Sequence, residues 1–299
     1  MEPPLFKRLI NLFFKFEKWA VERVLWVAFQ PSIFLKSSIN GYYIFLAKNG
    51  FYKVVLRNHE FLRRELKNLN YIHTNLPSVA PFVPEYRFDT FLFGKILIQR
   101  GEVLEPVLGK KEQYRFARKI LTVLQQMGVR RHSCLDELTN VKKGLDWIQG
   151  LLDGDVFRAL QRRVADVLEN NVFSIGPCHG DFHSRNFMRK GTRDLIIDLD
   201  CFRSASIQEL DGIYFIVQRI IDDIPGTWWL ETIEFLQERR SFEQADADFL
   251  NGIYGLGSWS GALMLYFLDR LGQDLDYGLI NESRARSVAM GFVREIART

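Results

Sequence analysis

The stretch that most limits what this chain can become is "CHGDFHSRNFMRKGTRDLIIDLD", Cys178 to Asp200. A short apolar run, Leu195 to Ile197, reads as a buried strand that delivers Asp198 and then Asp200. Upstream, a polar loop carries Asp181 and Asn186 at D-x-x-x-x-N spacing, and Asp198 follows Asn186 by twelve residues. Two histidines and a cysteine lie in the same stretch, so three chemistries compete for it: metal binding, hydrolysis and the handling of phosphate.

Zinc is poorly served. Structural zinc sites draw paired ligands from tight knuckles such as C-x-x-C, and Cys178, His179, His183 and Cys201 form none. Cys178 and His179 are adjacent, which makes joint ligation awkward. A serine hydrolase fares no better. There is no G-x-S-x-G elbow, and Ser184 sits in a charged loop with no strand leading straight into it. Cys178 beside His179 is no catalytic dyad by adjacency, because such partners meet in space rather than along the chain. Phosphoryl transfer uses more of the residues. It needs a carboxylate to orient and deprotonate an acceptor hydroxyl, and hard oxygen donors to hold Mg²⁺ against phosphates. A loop with an Asp and an Asn, followed by a strand ending in Asp, supplies both.

The remainder of the chain changes texture along its length. Leu5, Leu9, Leu12, Phe13, Phe16, Trp19, Ala20 and Val24 recur at helical spacing, and Pro31 closes that segment. Such a helix packs on the main body; its Trp, Phe and Lys content also suits peripheral contact with a membrane through residues 5–29. "GYYIFLA" and "GFYKVVL", joined through "KNG", read as a hairpin. "HEFLRRELKNLNYIH" is helical, with Phe61, Leu62, Leu66, Leu69 and Ile72 on one face, and two strands follow around Phe93–Lys95. From Lys110 onward helix dominates, with an interruption at Gly154. The expected division is a helical extension over 1–30, a sheet-plus-helix lobe over 31–101, and a larger, mostly helical lobe over 102–299.

Composition adds exclusions. With 47% hydrophobic and 25% charged residues the chain is an ordinary globular protein. Its net charge of +4 comes from basic residues interleaved with acidic ones, which argues against a nucleic-acid partner. Three cysteines, an odd count, fit a reducing cytosol. No convincing signal peptide and no membrane-span-length run is present, so a cytoplasmic protein, at most peripheral to a membrane, is expected.

"HGDFHSRNF" followed by "LIIDLD" resembles the paired motifs of the aminoglycoside phosphotransferase and choline kinase-like superfamily, relatives of the protein kinases. The resemblance implies an α+β, bilobal protein-kinase-like fold and use of ATP and Mg²⁺. By position, Asp181 is then the catalytic base, Asn186 and Asp198 Mg²⁺ ligands, Asp200 an assistant to metal or substrate, and His179 a structural holder of the loop. Asp211 in "QELDGIYF" matches a downstream Asp that braces the catalytic loop. The "DLD" ending is similar to branches that act on cell-envelope glycans.

A kinase-like lobe also needs a strand lysine, a helix glutamate to aim it, and a phosphate-covering turn. Lys53 in "GFYKVVL" and Glu65 in the next helix fill the first two places, with Arg57 the rival cation. The turn carries no glycine triad; Ser37, Ser38 and Asn40 stand there, able to meet phosphate through backbone N–H groups and a hydroxyl. "LIQRGE" falls where the lobes should join, so main chain from Gln99 to Gly101 is expected to face adenine. The resulting expectation is a kinase that moves the γ-phosphoryl group of ATP to a hydroxyl of a small molecule or glycan. A catalytically silent nucleotide-binding or scaffold protein on the same fold is the alternative.

Overall fold

Strand periodicity and one helical stripe account for most of the first half of the chain. The computed structural model describes residues 19, 22–23, 26–27, 30–37, 42–48, 50–55, 60–91, 96–223, 227–255, 259–278 and 282–296. The chain divides into two compact units. One is formed up to Val107 with Arg185–Asp200 returning to it, the other by Leu108–Ser184 with Cys201 onward.

The first unit contains strands β1 (Pro31–Ser37), β2 (Tyr42–Ala47) and β3 (Gly50–Val55), helix α1 (Glu60–Asn75), and strands β4 (Tyr86–Phe91) and β5 (Ile96–Gly101). The sheet is antiparallel in the order β1-β2-β3-β5-β4. The expected hairpin joins β2 to β3, closing with Ala47 opposite Gly50. β1 is a strand the apolar pattern did not single out. It sits at the sheet edge and starts with Pro31, where a missing N–H breaks no interior ladder.

Every residue of β3 is buried, so both faces of the strand meet apolar neighbours. Tyr52 and Val54 cluster with Tyr43, Phe45, Ala47 and Ile98. Phe51 clusters with Ile44, Leu104, Met188, Leu195 and Ile197, against which Tyr86 packs. Met188 and Leu195 belong to the returning hairpin, Phe187–Lys190 paired with Arg193–Ile196. Side chains alternate along a strand, so Lys53 shares the face of Phe51 and looks toward that hairpin.

In α1 the buried positions are Leu62, Glu65, Leu69 and Ile72. Phe61 and Leu66, expected on the buried face, are only half-buried. The stripe is rotated so that Glu65, a carboxylate, takes a fully buried place in it.

The second unit contains α2 (Lys110–Gln125), β6 (Val129–Arg131), α3 (Thr139–Gln149), α4 (Gly154–Asn170), β7 (Phe173–Cys178), β8 (Arg203–Ile207), α5 (Glu209–Asp223), α6 (Trp228–Leu236), α7 (Gln244–Tyr254), α8 (Ser260–Asp276) and α9 (Glu282–Ile296). The interruption at Gly154 is a helix start: Asp153 accepts from Asp155 N at 2.9 Å as an N-cap. "FEQADADFLNGIYGLGSWSGALMLYFLDRL" holds two helices, because α7 ends where Gly255 turns left-handed. The small sheet β8-β7-β6 was not expected in a lobe read as helical apart from "DLIIDLD". Helix α8 lies close against α3 through two glycines. A Cβ at Gly144 would stand 2.3 Å from Leu268 O, and one at Gly272 would stand 2.1 Å from Asn140 O.

Most of the helix expected over Leu5–Phe29 lies outside the described residues; Trp19, Glu22, Arg23, Trp26 and Val27 within it are helical, with Trp19 and Trp26 more than half exposed. Ser38, Asn40, Arg57 and Phe93–Lys95 also lie outside the described residues. Among the described residues, no helix is long and apolar enough to cross a membrane.

Candidate active site

In the first unit the polar centre is built on Lys53. Its Nζ lies 2.6 Å from Glu65 Oε2 and 2.5 Å from Asp198 Oδ1, with the lysine side chain wholly buried. Three elements converge here: β3 supplies the cation, α1 one carboxylate, and the end of the returning hairpin the other. Burial pushes the Glu65 carboxyl up, Lys53 pulls it down, and the Asp198 charge again raises it. A cation between two carboxylates in a desolvated place is what keeps both ionised forms tolerable. Gln99 is Lys53's cross-strand neighbour on β5 and is also fully buried.

Asp198 takes a left-handed conformation, φ +66°, which Asp tolerates better than most residues. The chain therefore turns sharply at the strand end. Two side chains of α1 hold that turn. Glu65 Oε1 accepts from Leu199 N at 3.3 Å, and Asn68 Nδ2 donates to the carbonyls of Leu199 at 2.7 Å and Asp200 at 3.4 Å. Asn186 is brought beside this strand end by a backbone bond, Ile197 N to Asn186 O at 3.0 Å. Asn186 and Asp200 are both buried.

Gln99 and Gly101 both lie in β5. β5 is an interior strand, paired with β3 on one side and β4 on the other, and Gly101 stands opposite both Phe51 and Tyr86. The chain leaves the ladder only after Gly101, and even there Glu102 O accepts from Phe51 N at 3.0 Å. Ser37 is the last residue of β1.

In the second unit the polar centre is built on Asp181. Its Oδ1 accepts from Tyr214 OH at 2.6 Å and from Arg270 Nη1 at 3.2 Å, while Oδ2 lies 3.3 Å from His183 Nε2. Burial alone would push this carboxyl up; His183, Arg270 and the Tyr214 hydroxyl together outweigh it and hold Asp181 well below the usual carboxylate range. The Arg270 guanidinium carbon lies 4.6 Å from the Tyr214 ring centroid, and Nε faces Asp274 at 3.2 Å.

The backbone carrying Asp181 is braced from α5. Asp211 Oδ2 accepts from His179 N at 2.6 Å and Oδ1 from Gly180 N at 2.9 Å. His179 Nδ1 accepts from Asp181 N at 3.2 Å. Gly180 has φ +79°, and a Cβ there would meet Cys201 O at 2.3 Å. Only glycine fits. Cys201 itself is held by Gln273 and Tyr277, and Cys178 is buried at the end of β7.

The structure thus joins Lys53, Glu65 and Asp198 in one cluster of the first unit, and His179, Asp181 and Asp211 in one of the second. The continuous segment from His179 to Asp200 runs through both. Sequence reasoning missed Asn68, Tyr214, Arg270 and the place of His183. Asn68 lies three residues after Glu65, and Tyr214 three after Asp211, the spacing of one helix face. Arg270, 89 residues from Asp181, gives no local signal.

A profile of the phosphotransferase enzyme family matches residues 53–207, just over half of the 299 residues. Among solved structures, the choline kinase LicA from Streptococcus pneumoniae is similar at 13% identity and a TM-score of 0.52, covering 95% of this chain and 99% of its own. The ADP-bound aminoglycoside phosphotransferase APH(2'')-Ib is similar at 13% identity and 0.56, covering 92% and 97%. The streptomycin–ATP complex of APH(2")-IIa is similar at 15% identity and 0.53, covering 94% and 96%. These likenesses speak to the fold, which is the α+β protein-kinase-like one. No curated protein sequence matches the chain.

Proposed function

The chain belongs to the phosphotransferase enzyme family, and from that premise we propose that it transfers the γ-phosphoryl group of ATP, with Mg²⁺, to a hydroxyl of a small molecule or glycan. The observation that carries this reading is the buried ammonium of Lys53 held between Glu65 and Asp198. A lysine with no exposure and two carboxylate partners is costly as a purely structural device. It is economical where an anionic ligand is to share the cation.

The donor set fits the nucleotide and its metal. Asn186 and Asp198 offer an amide and a carboxylate oxygen, hard donors suited to Mg²⁺, which keeps several waters and asks for few protein ligands. Bound there, Mg²⁺ would neutralise charge on the phosphate oxygens. Lys53 would bind phosphate oxygens, with Glu65 fixing its direction. Asn68 holds Leu199 and Asp200 so that Asp198 keeps its left-handed turn. With Gln99–Gly101 enclosed in the sheet, the base would be met by main chain beyond Gly101, in the stretch Glu102–Leu104.

Asp181 would receive the acceptor hydroxyl. Its low affinity for protons makes it a weak base but an ionised one, and a loose phosphoryl-transfer transition state asks for orientation more than early proton removal. Tyr214 and Arg270 meet Oδ1 and His183 meets Oδ2, so the carboxylate would be held in one orientation toward the hydroxyl. Asp211 keeps the loop backbone in place while this happens.

Thermal unfolding with ATP plus Mg²⁺, against ATP alone and AMP alone, tests the proposal together with release of ADP. Stabilisation that needs both nucleotide and metal is expected. The same melting temperature in all conditions, with no ADP release, would refute it.

A further inference from the structure

Arg270 of α8 meets a different partner in each direction that a guanidinium offers. Nη1 lies 3.2 Å from Asp181 Oδ1, and Nε faces Asp274 Oδ1 at 3.2 Å. The guanidinium carbon stands over the Tyr214 ring, 4.6 Å from its centroid. Asp274 follows Arg270 by four residues, the spacing of one helix face. It is held in turn from α6, where Trp228 Nε1 donates to Oδ2 at 2.9 Å. Tyr266, one turn before Arg270 on α8, lies 6.2 Å from the Tyr214 ring and 6.3 Å from Trp228. With its side chain only 12% exposed, Arg270 has little room to take another position.

Asp181 depends on this arrangement for its direction. The terminal torsion of an aspartate is broad and roughly two-fold, so its own side chain does not set the carboxylate plane. Tyr214 OH from α5 and Arg270 Nη1 from α8 converge on Oδ1, and His183 Nε2 lies 3.3 Å from Oδ2. Because Tyr214 is also the ring under Arg270, the two donors to Oδ1 hold each other in place. The charged and titratable groups facing Asp181 are His183, Arg270 and Tyr214; those facing Arg270 are Asp181, Asp274, Tyr214 and Tyr266. A guanidinium this close favours the ionised carboxylate. A lysine would supply the charge without the plane that meets three partners at once.

Resting on the phosphotransferase reading of Asp181, we propose that Arg270 is a positioning residue: braced by Asp274 and stacked on Tyr214, it fixes the plane of the Asp181 carboxylate and thereby sets the rate of transfer, without itself touching nucleotide or acceptor. A carboxylate free to rotate presents its oxygen to the acceptor hydroxyl for only part of the time, and reacting geometries tolerate little displacement. The chemical step keeps its balance. The acceptor oxygen bonds to the γ-phosphorus as the bond to the β–γ bridging oxygen of ATP breaks. ADP leaves with that electron pair, and the hydroxyl proton passes to Asp181.

The test compares the full chain with Arg270→Gln and Arg270→Lys in two measurements. The Asp181 carboxyl is titrated by carbon NMR, its resonance assigned by its loss in Asp181→Asn. ADP release is followed with Mg²⁺ and ATP, with water, glucose, choline or kanamycin as acceptor. In Arg270→Gln the carboxyl should titrate at higher pH than in the parent, and the acid limb of kcat should move with it. Near neutral pH, kcat should fall about 10- to 100-fold with KM for ATP within about twofold, the pattern of lost orientation with nucleotide binding kept. Arg270→Lys should restore the low titration but regain less than about half of kcat. An Asp181 titration identical in parent and Arg270→Gln overturns the proposal, and so does parent kcat in either variant. If Arg270→Gln does not fold, the lysine variant decides: reduced kcat with the parent titration supports the proposal, and parent kcat overturns it. Where the parent releases no ADP, the titration alone decides whether Arg270 holds Asp181. Absence of stabilisation by ATP with Mg²⁺ in that case refutes the phosphotransferase reading separately.

Discussion

Lys53 and Asp198, 145 residues apart in sequence, meet at 2.5 Å in a buried ion pair that also includes Glu65. β3 and the end of the returning hairpin are thereby tied through charge as well as through the Phe51 cluster. Lys53→Met leaves two carboxylates without their cation. We expect a loss of about 3–5 kcal/mol in urea unfolding near neutral pH. The loss should shrink in acid, because orphaned carboxylates take up protons. Stabilisation by ATP with Mg²⁺ should vanish as well.

Asp181→Asn keeps the shape of the side chain but removes the acceptor charge. Turnover is expected to fall by about 10²–10⁴, with nucleotide-induced stabilisation unchanged. In the parent chain, His183, Arg270 and Tyr214 hold the carboxyl well below 3.8 against burial. Protonation of Asp181 therefore contributes no loss of activity above that pH, and a pH–rate profile checks this.

Asn68→Ala deletes the donor that holds Leu199 and Asp200. The fold should lose about 1 kcal/mol, the net worth of an ordinary hydrogen bond. The more telling readout is a raised requirement for Mg²⁺ in ADP release, since the turn at Asp198 is no longer pinned to α1.

Asp211→Asn places an amide where two backbone N–H groups need acceptors. One bond is lost and two donors face each other, at an expected cost of about 1–3 kcal/mol by chemical denaturation. Gly180→Ala should act on the same loop by another route, because its Cβ would meet Cys201 O and its φ is positive. Both variants should lower kcat.

Glu209 predicts a pH effect on stability. Burial pushes its carboxyl up to about 7, against hydrogen bonds from Ser174. The folded state then binds this proton more tightly than the unfolded state, whose value is near 4.5. Stability from this group falls as pH rises from about 4.5 through about 7 and is level above. At 1.36 kcal/mol per unit the full effect is roughly 3 kcal/mol. Glu209→Gln should remove that slope and melt higher than the parent at pH 8, as read by calorimetry between pH 5 and 8.

Much of the chain's organisation was legible in local pattern. Period-two runs marked β2 and β3, "KNG" marked their hairpin, and the helical stripe of "HEFLRRELKNLNYIH" marked α1. The spacing in "HGDFHSRNF" and "LIIDLD" singled out Asp181, Asn186 and Asp198. Less legible were the places where a residue works through a distant partner. β1 carries no strong alternation. β6 and β8 are short strands that pair with β7 from opposite sides, so their existence depends on the partner. Gln99 and Gly101 lie near the expected lobe junction, yet only the register reveals that their strand runs between β3 and β4.

Sequence by itself determined the chemistry on offer: an Asp and an Asn in one loop, an Asp at a strand end, a lysine in a strand and a glutamate twelve residues on. Those follow from residue type and local period, which the chain carries within a few positions. Tertiary structure alone decided which charges meet. It put Glu65 on the buried side of α1, set Lys53 on the Phe51 face of β3, brought Arg270 to Asp181 across 89 residues, and aligned Tyr214, Tyr266 and Trp228 from three helices. Each depends on helix rotation, strand parity or packing between distant segments. Those are settled by which arrangement buries the most apolar surface without leaving a charge unpaired, and no local stretch of chain contains that comparison.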